Sequence, residues 1–241
     1  MNASTLTKPA SSQPAPVSGL PVGGIIPFSA TDWPGHLTVT VFTRGCPLRC
    51  TYCHNPELQD FAEPAYAPSF DEALSLLQAR RGLLDGMVIS GGEPLAAPGL
   101  ARAAARVRQA GFGLGLHTSG YVPRRLATLL RDPQARPDWI GFDVKALPEH
   151  LPQVAGCTPA TAARMWESLA LLGHAARAYG THVQLRTTLW ANSIIETHLE
   201  QLREQVRLVF GALPDGAEPA LVIQRARDVD ADGVYQGPGR A

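Results

Sequence analysis

The sequence has no surplus of charge. Its 241 residues carry 21 Lys+Arg against 21 Asp+Glu, for a formal net charge of zero. A protein that binds nucleic acid through its phosphates usually carries a basic surplus, so that class is disfavoured. Long apolar runs are missing too. None approaches the roughly 18 residues of a membrane span, so no membrane partner is expected. The first residues hold one cation, Lys8, and no apolar core before a cleavage site, unlike a secretory signal. The expected compartment is therefore the cytoplasm, where thiols stay reduced. Cysteine is scarce, with four residues. Three of them, Cys46, Cys50 and Cys53, fall within one short loop. That is too cramped for a disulfide framework and points to metal.

What the chain does have is apolar material. At 45% hydrophobic, it holds ample residues for a buried core, so disorder of the whole chain is excluded. Residues 1–20 are rich in Ser, Pro and Ala and are expected to form a disordered tail. A single domain is expected over 21–228, followed by a short tail over 229–241. No repeat of fixed period appears beyond an alternation of strand-like and helix-like segments.

That alternation sets the fold class. Strands are predicted over 37–43, 86–90, 112–117, 139–144, 182–188 and 220–224, each rich in β-branched or aromatic residues or short and apolar. Helices are predicted between them. Ser69-Phe-Asp-Glu72 reads as a capping box opening a helix to about Leu84, and Ser193-Ile-Ile-Glu196 as a second, opening a helix that ends near Gly211. The others run over 100–110, 123–131 and 161–179, the first closed by Gly111 and the last by Gly180. Strands joined through helices must run parallel. Six are too few for a closed (β/α)₈ barrel. The expected fold is α/β, either a partial, open barrel or a doubly wound sheet. In both, chemistry gathers at the C-terminal ends of the strands.

The unusual residues fall there. After the first predicted strand comes Arg44-Gly-Cys46-Pro-Leu-Arg-Cys50-Thr-Tyr-Cys53-His-Asn-Pro56, a C-x₃-C-x₂-C loop. Cysteine is the soft ligand of iron–sulfur clusters and zinc. With no fourth cysteine nearby, a [4Fe–4S] cube held here keeps one iron for substrate or cofactor, as open metal sites do. Competing readings are a Cys₃His zinc site using His54, a closed cluster with Cys157 as fourth ligand, and a trio of buried thiols. After the second strand stands Ser90-Gly91-Gly92-Glu93-Pro94. Its glycines admit close approach of a ligand, and its carboxylate suits an ammonium group. Read alone, it is also an ordinary turn. His117-Thr118-Ser119-Gly120 follows the third strand, with hydroxyls for a ribose or a carboxylate. Asp143-Val144-Lys145 places opposite charges on one face at the end of the fourth. These are a functional pair or a structural ion pair. Arg186-Thr187-Thr188 offers a fork suited to a carboxylate, and Gln224-Arg225 ends the sixth strand.

The cysteine loop, with Tyr52 directly before its last cysteine, resembles that of radical S-adenosylmethionine (SAM) enzymes. Together with Phe28-Ser-Ala-Thr-Asp-Trp-Pro-Gly35 and Cys53-His-Asn-Pro56, the chain is similar to the activating enzymes of glycyl-radical enzymes. Within these it most resembles those acting on anaerobic ribonucleoside-triphosphate reductase. The resemblance runs from about Gly23 to Arg225. It implies a partial (β/α)₆ barrel of the radical SAM type and a [4Fe–4S] cluster on Cys46, Cys50 and Cys53. It further implies reductive cleavage of SAM to methionine and a 5′-deoxyadenosyl radical, which takes hydrogen from a glycine Cα of the partner. The electron comes from a flavodoxin or ferredoxin. It implies that Gly91, Gly92 and Glu93 bind the SAM amino group and that Tyr52 contacts the adenine region. Asp143 and Lys145 then face the cofactor and the incoming glycine loop, while Arg186 meets the cofactor carboxylate or ribose; Thr118 and Ser119 complete the cofactor set. Some relatives carry an acid where His117 stands, and there it helps hold a monovalent cation; His117 departs from that pattern. No catalytic acid or base is required. Rival functions are a radical SAM enzyme acting on a small molecule, such as a deazapurine-forming synthase, activation of another glycyl-radical enzyme, and a non-catalytic metal-binding module.

Overall fold

The computed structural model describes residues 19–62, 64, 66–226, 234 and 236. Most of the two expected tails lies outside them. Leu20, placed in the N-terminal tail by composition, is 3% exposed and packs in the main core.

The elements follow in chain order as β1 (Val22–Ser29), β2 (Thr38–Thr43), α1 (Phe70–Ala79), β3 (Gly86–Gly91), α2 (Leu100–Gln109), β4 (Gly113–Thr118) and α3 (Pro123–Arg131). Then come β5 (Trp139–Asp143), α4 (Leu151–Ala155), α5 (Pro159–Tyr179), β6 (His182–Leu189), α6 (Ile194–Thr197), α7 (Leu199–Phe210) and β7 (Leu221–Arg225). One sheet takes the strands in sequence order, β1 through β7. β2 to β7 are all parallel. This sequential order is a partial, open (β/α)₆ barrel and not a doubly wound sheet, whose strand order would reverse. Parallel crossovers are right-handed, so strands added in one direction leave their helices on one face. Among the described residues β1 and β7 do not pair, and the barrel has an open side. No helix among the described residues is long and apolar enough to cross a membrane.

Four features depart from the sequence expectations, one being the five-residue α4, where no helix was predicted. β1, which runs antiparallel to β2 with two register shifts, was not expected as a strand. It contains Gly23, Gly24 and Pro27, residues that sheets tolerate at edges and bulges. The first helix keeps its capping box, with the Ser69 hydroxyl accepting from the Glu72 amide and the Glu72 carboxylate accepting from the Ser69 amide. It stops at Ala79, five residues early, where turns pass through Gly82. The second box is only half formed. Ser193 accepts from the Glu196 amide, but the Glu196 carboxylate accepts from Asn192, and the helix breaks at His198 into α6 and α7.

Strand parity sorts the side chains. Val39, Val41, Met87, Ile89, Leu114, Leu116, Ile140 and Phe142 enter the large core under the helices. The alternate positions point inward. At the barrel floor Trp33, Val88 and Trp139 form a second apolar cluster, with the two indoles stacked at 6.1 Å. Gly115 makes room for it. A Cβ there would stand 3.0 Å from Val88 Cγ2 and 3.1 Å from Trp33.

Candidate active site

Above this floor the inward positions become polar, and they open onto a cavity of about 540 Å³ at the C-terminal ends of the strands. Every residue singled out from the sequence for the cluster or the cofactor lines it: Cys46, Cys50 and Cys53, Tyr52, Gly91 to Glu93, Thr118 and Ser119, Asp143, Lys145 and Arg186.

The cysteine loop is held from both sides by backbone bonds. Gly45 N–H donates to Leu58 and Cys46 N–H to Gln59, in the 3₁₀ turn Pro56–Gln59. On the other flank Arg49 and Thr51 N–H donate to Ala155 and Val154 of α4. The Arg49 guanidinium donates to the Cys46 and Leu48 carbonyls and closes the loop on itself. Burial pushes the Cys46 thiol up to about 12 and raises Cys50 as well, against the pull of Lys145. A metal centre taking these sulfurs must therefore displace their protons.

The donor set fits a cube better than one ion. Three thiols share one cavity, and a cube distributes its protein ligands over separate iron corners. Among the described residues no three His, Cys, Asp or Glu side chains converge closely enough to hold one metal ion. Cys157 is absent from the cavity lining. It is nevertheless not remote. Gly156 abuts Arg49, with a Cβ there 2.8 Å from the Arg49 Cβ, and Cys157 is near enough to Cys50 to raise that thiol.

The turn after β3 serves a purpose the sequence did not disclose. A Cβ on Gly91 would stand 2.2 Å from the Thr43 nitrogen, and one on Gly92 would stand 2.5 Å from the Gly45 oxygen. These glycines admit the backbone that opens the cysteine loop. Gly91 also has φ +112°, which side chains rarely adopt. Glu93 is 2% exposed. Its Oε1 accepts from Thr118 Oγ1 at 2.5 Å and Leu95 N–H at 3.0 Å. Its Oε2 accepts from Ser119 Oγ at 2.5 Å and Ser119 N–H at 2.9 Å. Both carboxylate oxygens are thus engaged, and the Thr118 and Ser119 hydroxyls that line the cavity donate to Glu93.

A second network crosses the cavity. Arg186 Nε and Nη2 donate to Asp143 Oδ1 at 3.1 and 2.8 Å, and Lys145 Nζ lies 3.5 Å from Asp143 Oδ2. Burial works against the Asp143 charge, but Arg186 and Lys145 outweigh it and hold the carboxyl at about 2. Burial also works against the Lys145 ammonium. The Tyr52 hydroxyl, the Cys50 thiol and Asp143 outweigh that, and its pKa is held well above the lysine range. Lys145 sits 5.6 Å from the Tyr52 ring centroid, and Tyr52 leans on Trp190 at 5.2 Å. Asp143 and Lys145 therefore form an ion pair and also face the cavity.

His117 links this network to the floor. Its Nε2 is 2.7 Å from the Asp32 carbonyl, which only accepts, so that nitrogen carries the hydrogen. Nδ1 then accepts from Ser90 Oγ at 3.2 Å. Burial, followed by the charge of Arg186, lowers its pKa to about 4. The ring is neutral at physiological pH. The Asp32-Trp33-Pro34-Gly35 motif is thereby given a structural task. Trp33 plugs the floor, while Asp32 holds His117 through its carbonyl and Thr40 through its carboxylate at 2.5 Å.

The description "Radical SAM superfamily" matches residues 40–206. Pyruvate formate-lyase-activating enzyme of Staphylococcus aureus (strain USA300) is 38% identical over 97 residues, 38% of each chain. The matched segment thus spans about two fifths of the curated relatives' length. Among solved structures, Streptococcus suis SuiB bound to S-adenosylmethionine superposes with a TM-score of 0.56 at 12% identity, covering 80% of this chain and 41% of that one. TYW1 with a lysine-pyruvate adduct gives 0.50 at 14% identity, over 70% and 61%. At these identities the two structures bear on the fold alone.

Proposed function

This chain belongs to the radical SAM superfamily, and we propose that it installs a glycyl radical on a partner enzyme, with anaerobic ribonucleoside-triphosphate reductase as the first candidate. When bound, the [4Fe–4S] cluster and SAM supply a reductively generated 5′-deoxyadenosyl radical; that chemistry belongs to the cofactors, and the protein positions and shields. Cys46, Cys50 and Cys53 would hold the cluster. Lys145, beside Cys50 and Asp143, sets a fixed positive charge next to the sulfurs. Asp143 and Arg186 fix one another at the cofactor side, and Glu93 braces the Thr118–Ser119 turn that forms the adjoining wall. His117 stays neutral beside Arg186, its Nε2 3.4 Å from the guanidinium Nη1 and donating to the Asp32 carbonyl instead.

The observation that carries the proposal is the joint placement of three thiols and these groups in one cavity of a barrel with an open side. A protein loop can enter there, whereas a closed eight-stranded barrel is filled by side chains. The partial likeness to pyruvate formate-lyase-activating enzyme supports a glycyl-radical enzyme as substrate. The Asp32–Gly35 and Tyr52–Pro56 segments favour the reductase. The electron donor would be a flavodoxin or ferredoxin.

The test is anaerobic reconstitution followed by incubation with SAM, a reductant and either the reductase or pyruvate formate-lyase. A glycyl-radical EPR doublet on the reductase is expected. A doublet on pyruvate formate-lyase alone would reassign the partner. No doublet on either, with turnover of a small molecule instead, would end the activating-enzyme reading.

A further inference from the structure

The cavity has a rim of a different character from its cofactor side. Asn55 and Gln59 stand on the 3₁₀ turn beyond the last cysteine, and Gln224 stands near the end of β7. β2 and β7 lie near opposite ends of the sheet, and the curl of the barrel brings these residues to the lining of one cavity. All three line the cavity and all three end in a carboxamide. Among the described residues the Asn55 and Gln59 side chains make no hydrogen bond. Gln224 has one long contact, accepting from Thr188 Oγ1 at 3.5 Å. The carboxylates of the lining are engaged elsewhere, Glu93 by the Thr118–Ser119 turn and Asp143 by Arg186 and Lys145. Arg225, also at the rim, lies 3.8 Å from Glu196.

A carboxamide presents an acceptor and a donor side by side, and so does a peptide unit. It does not select for charge, as a guanidinium fork does. A glycine offers no side chain to grip. A site that positions a glycine Cα can hold it by the peptide units on either side. We propose that Asn55, Gln59 and Gln224 form a subsite that reads the main chain of an extended polypeptide segment entering through the open side. This rests on the function proposed above and specifies how that substrate is recognised.

The test reads binding, not turnover. Anaerobically reconstituted full-length protein with SAM is titrated against a fluorescent ten-residue peptide spanning the radical glycine of the reductase, followed by anisotropy. Asn55→Ala, Gln59→Ala and Gln224→Ala should each weaken binding about fivefold, the value of one neutral hydrogen bond. A peptide N-methylated on the amides flanking the glycine should bind wild type more weakly by a similar factor. Its deficit should shrink in the variant that has already lost the matching bond, which excludes a mere folding defect. Unchanged affinity in all three variants overturns the subsite. So does a wild type that fails to bind the peptide yet installs the radical on the full-length reductase. If the peptide binds with the expected pattern but no partner enzyme acquires a radical, the subsite stands and the proposed function falls.

Discussion

Glu93→Gln separates two uses of one carboxylate. The sequence presents Glu93 as a group for an ammonium, whereas the structure shows both oxygens engaged by the protein. Each oxygen accepts one hydroxyl and one backbone N–H. A hydroxyl can rotate and accept from the new NH₂, but a backbone N–H cannot. Whichever way the amide is turned, either Leu95 N–H or Ser119 N–H faces a donor. Hydrogen bonds to a charged group contribute about 1.5–3 kcal/mol each, and a stranded buried donor costs about 1–3 kcal/mol. The substitution should therefore destabilise by about 3 kcal/mol, a Tm loss of roughly 6–12 °C for a domain of this size. Anaerobic thermal unfolding of the reconstituted variant measures it, with SAM binding followed in parallel. A Tm within 2 °C of wild type combined with lost SAM binding would refute the reasoning and return Glu93 to the role of direct ligand.

Two further predictions concern the thiols and the histidine. Cys50→Ala should abolish iron loading and SAM cleavage, while Cys157→Ala, which alters a residue outside the cavity lining, should retain both; equal losses would make Cys157 a fourth ligand. His117 is held neutral down to about pH 4, whereas an unfolded imidazole takes a proton near 6.5. Between these values the unfolded chain binds more protons, so His117 lowers stability as pH falls through that window, by about 3 kcal/mol at its lower end. His117→Asn removes that loss, and denaturation at a series of pH values should show a flatter acid limb; parallel curves would contradict the neutral assignment.

The parallel strands were legible in the sequence because burial leaves a local signature. Val39 and Val41, or Met87 and Ile89, are apolar runs that need no partner to be seen. β1 was not, since two glycines and a proline mask an edge strand that exists through pairing with β2. α4 has five residues, too few for a helical period. The break at His198 depended on where the Glu196 side chain went. The site shows the same division. Its members could be named from their positions at strand ends, but their partners could not. Glu93 meets Ser119 across 26 residues and Arg186 meets Asp143 across 43, and no local rule reaches that far. Several of these polar strand ends are engaged with each other, a pairing that their sequence positions do not reveal.

The two halves of the cavity are constrained differently, and this bears on how partner choice can vary. Asp143 and Arg186 are paired in register on neighbouring strands and face inward because Phe142 and Leu185 face the core. A one-residue slip would exchange the two sets, burying charge under the helices and exposing the core. The half that carries this ion pair is therefore locked by the same alternation that stabilises the fold. Gln224 lies on the last strand of the sheet and Asn55 on a short turn, and both are exposed. Changing either disturbs little packing, and surface substitutions of that kind usually stay within about 0.5 kcal/mol. If the proposed subsite holds, recognition of different polypeptides can thus diverge along the open side at small cost in stability, while the paired charges beneath it are tied to the register of the sheet.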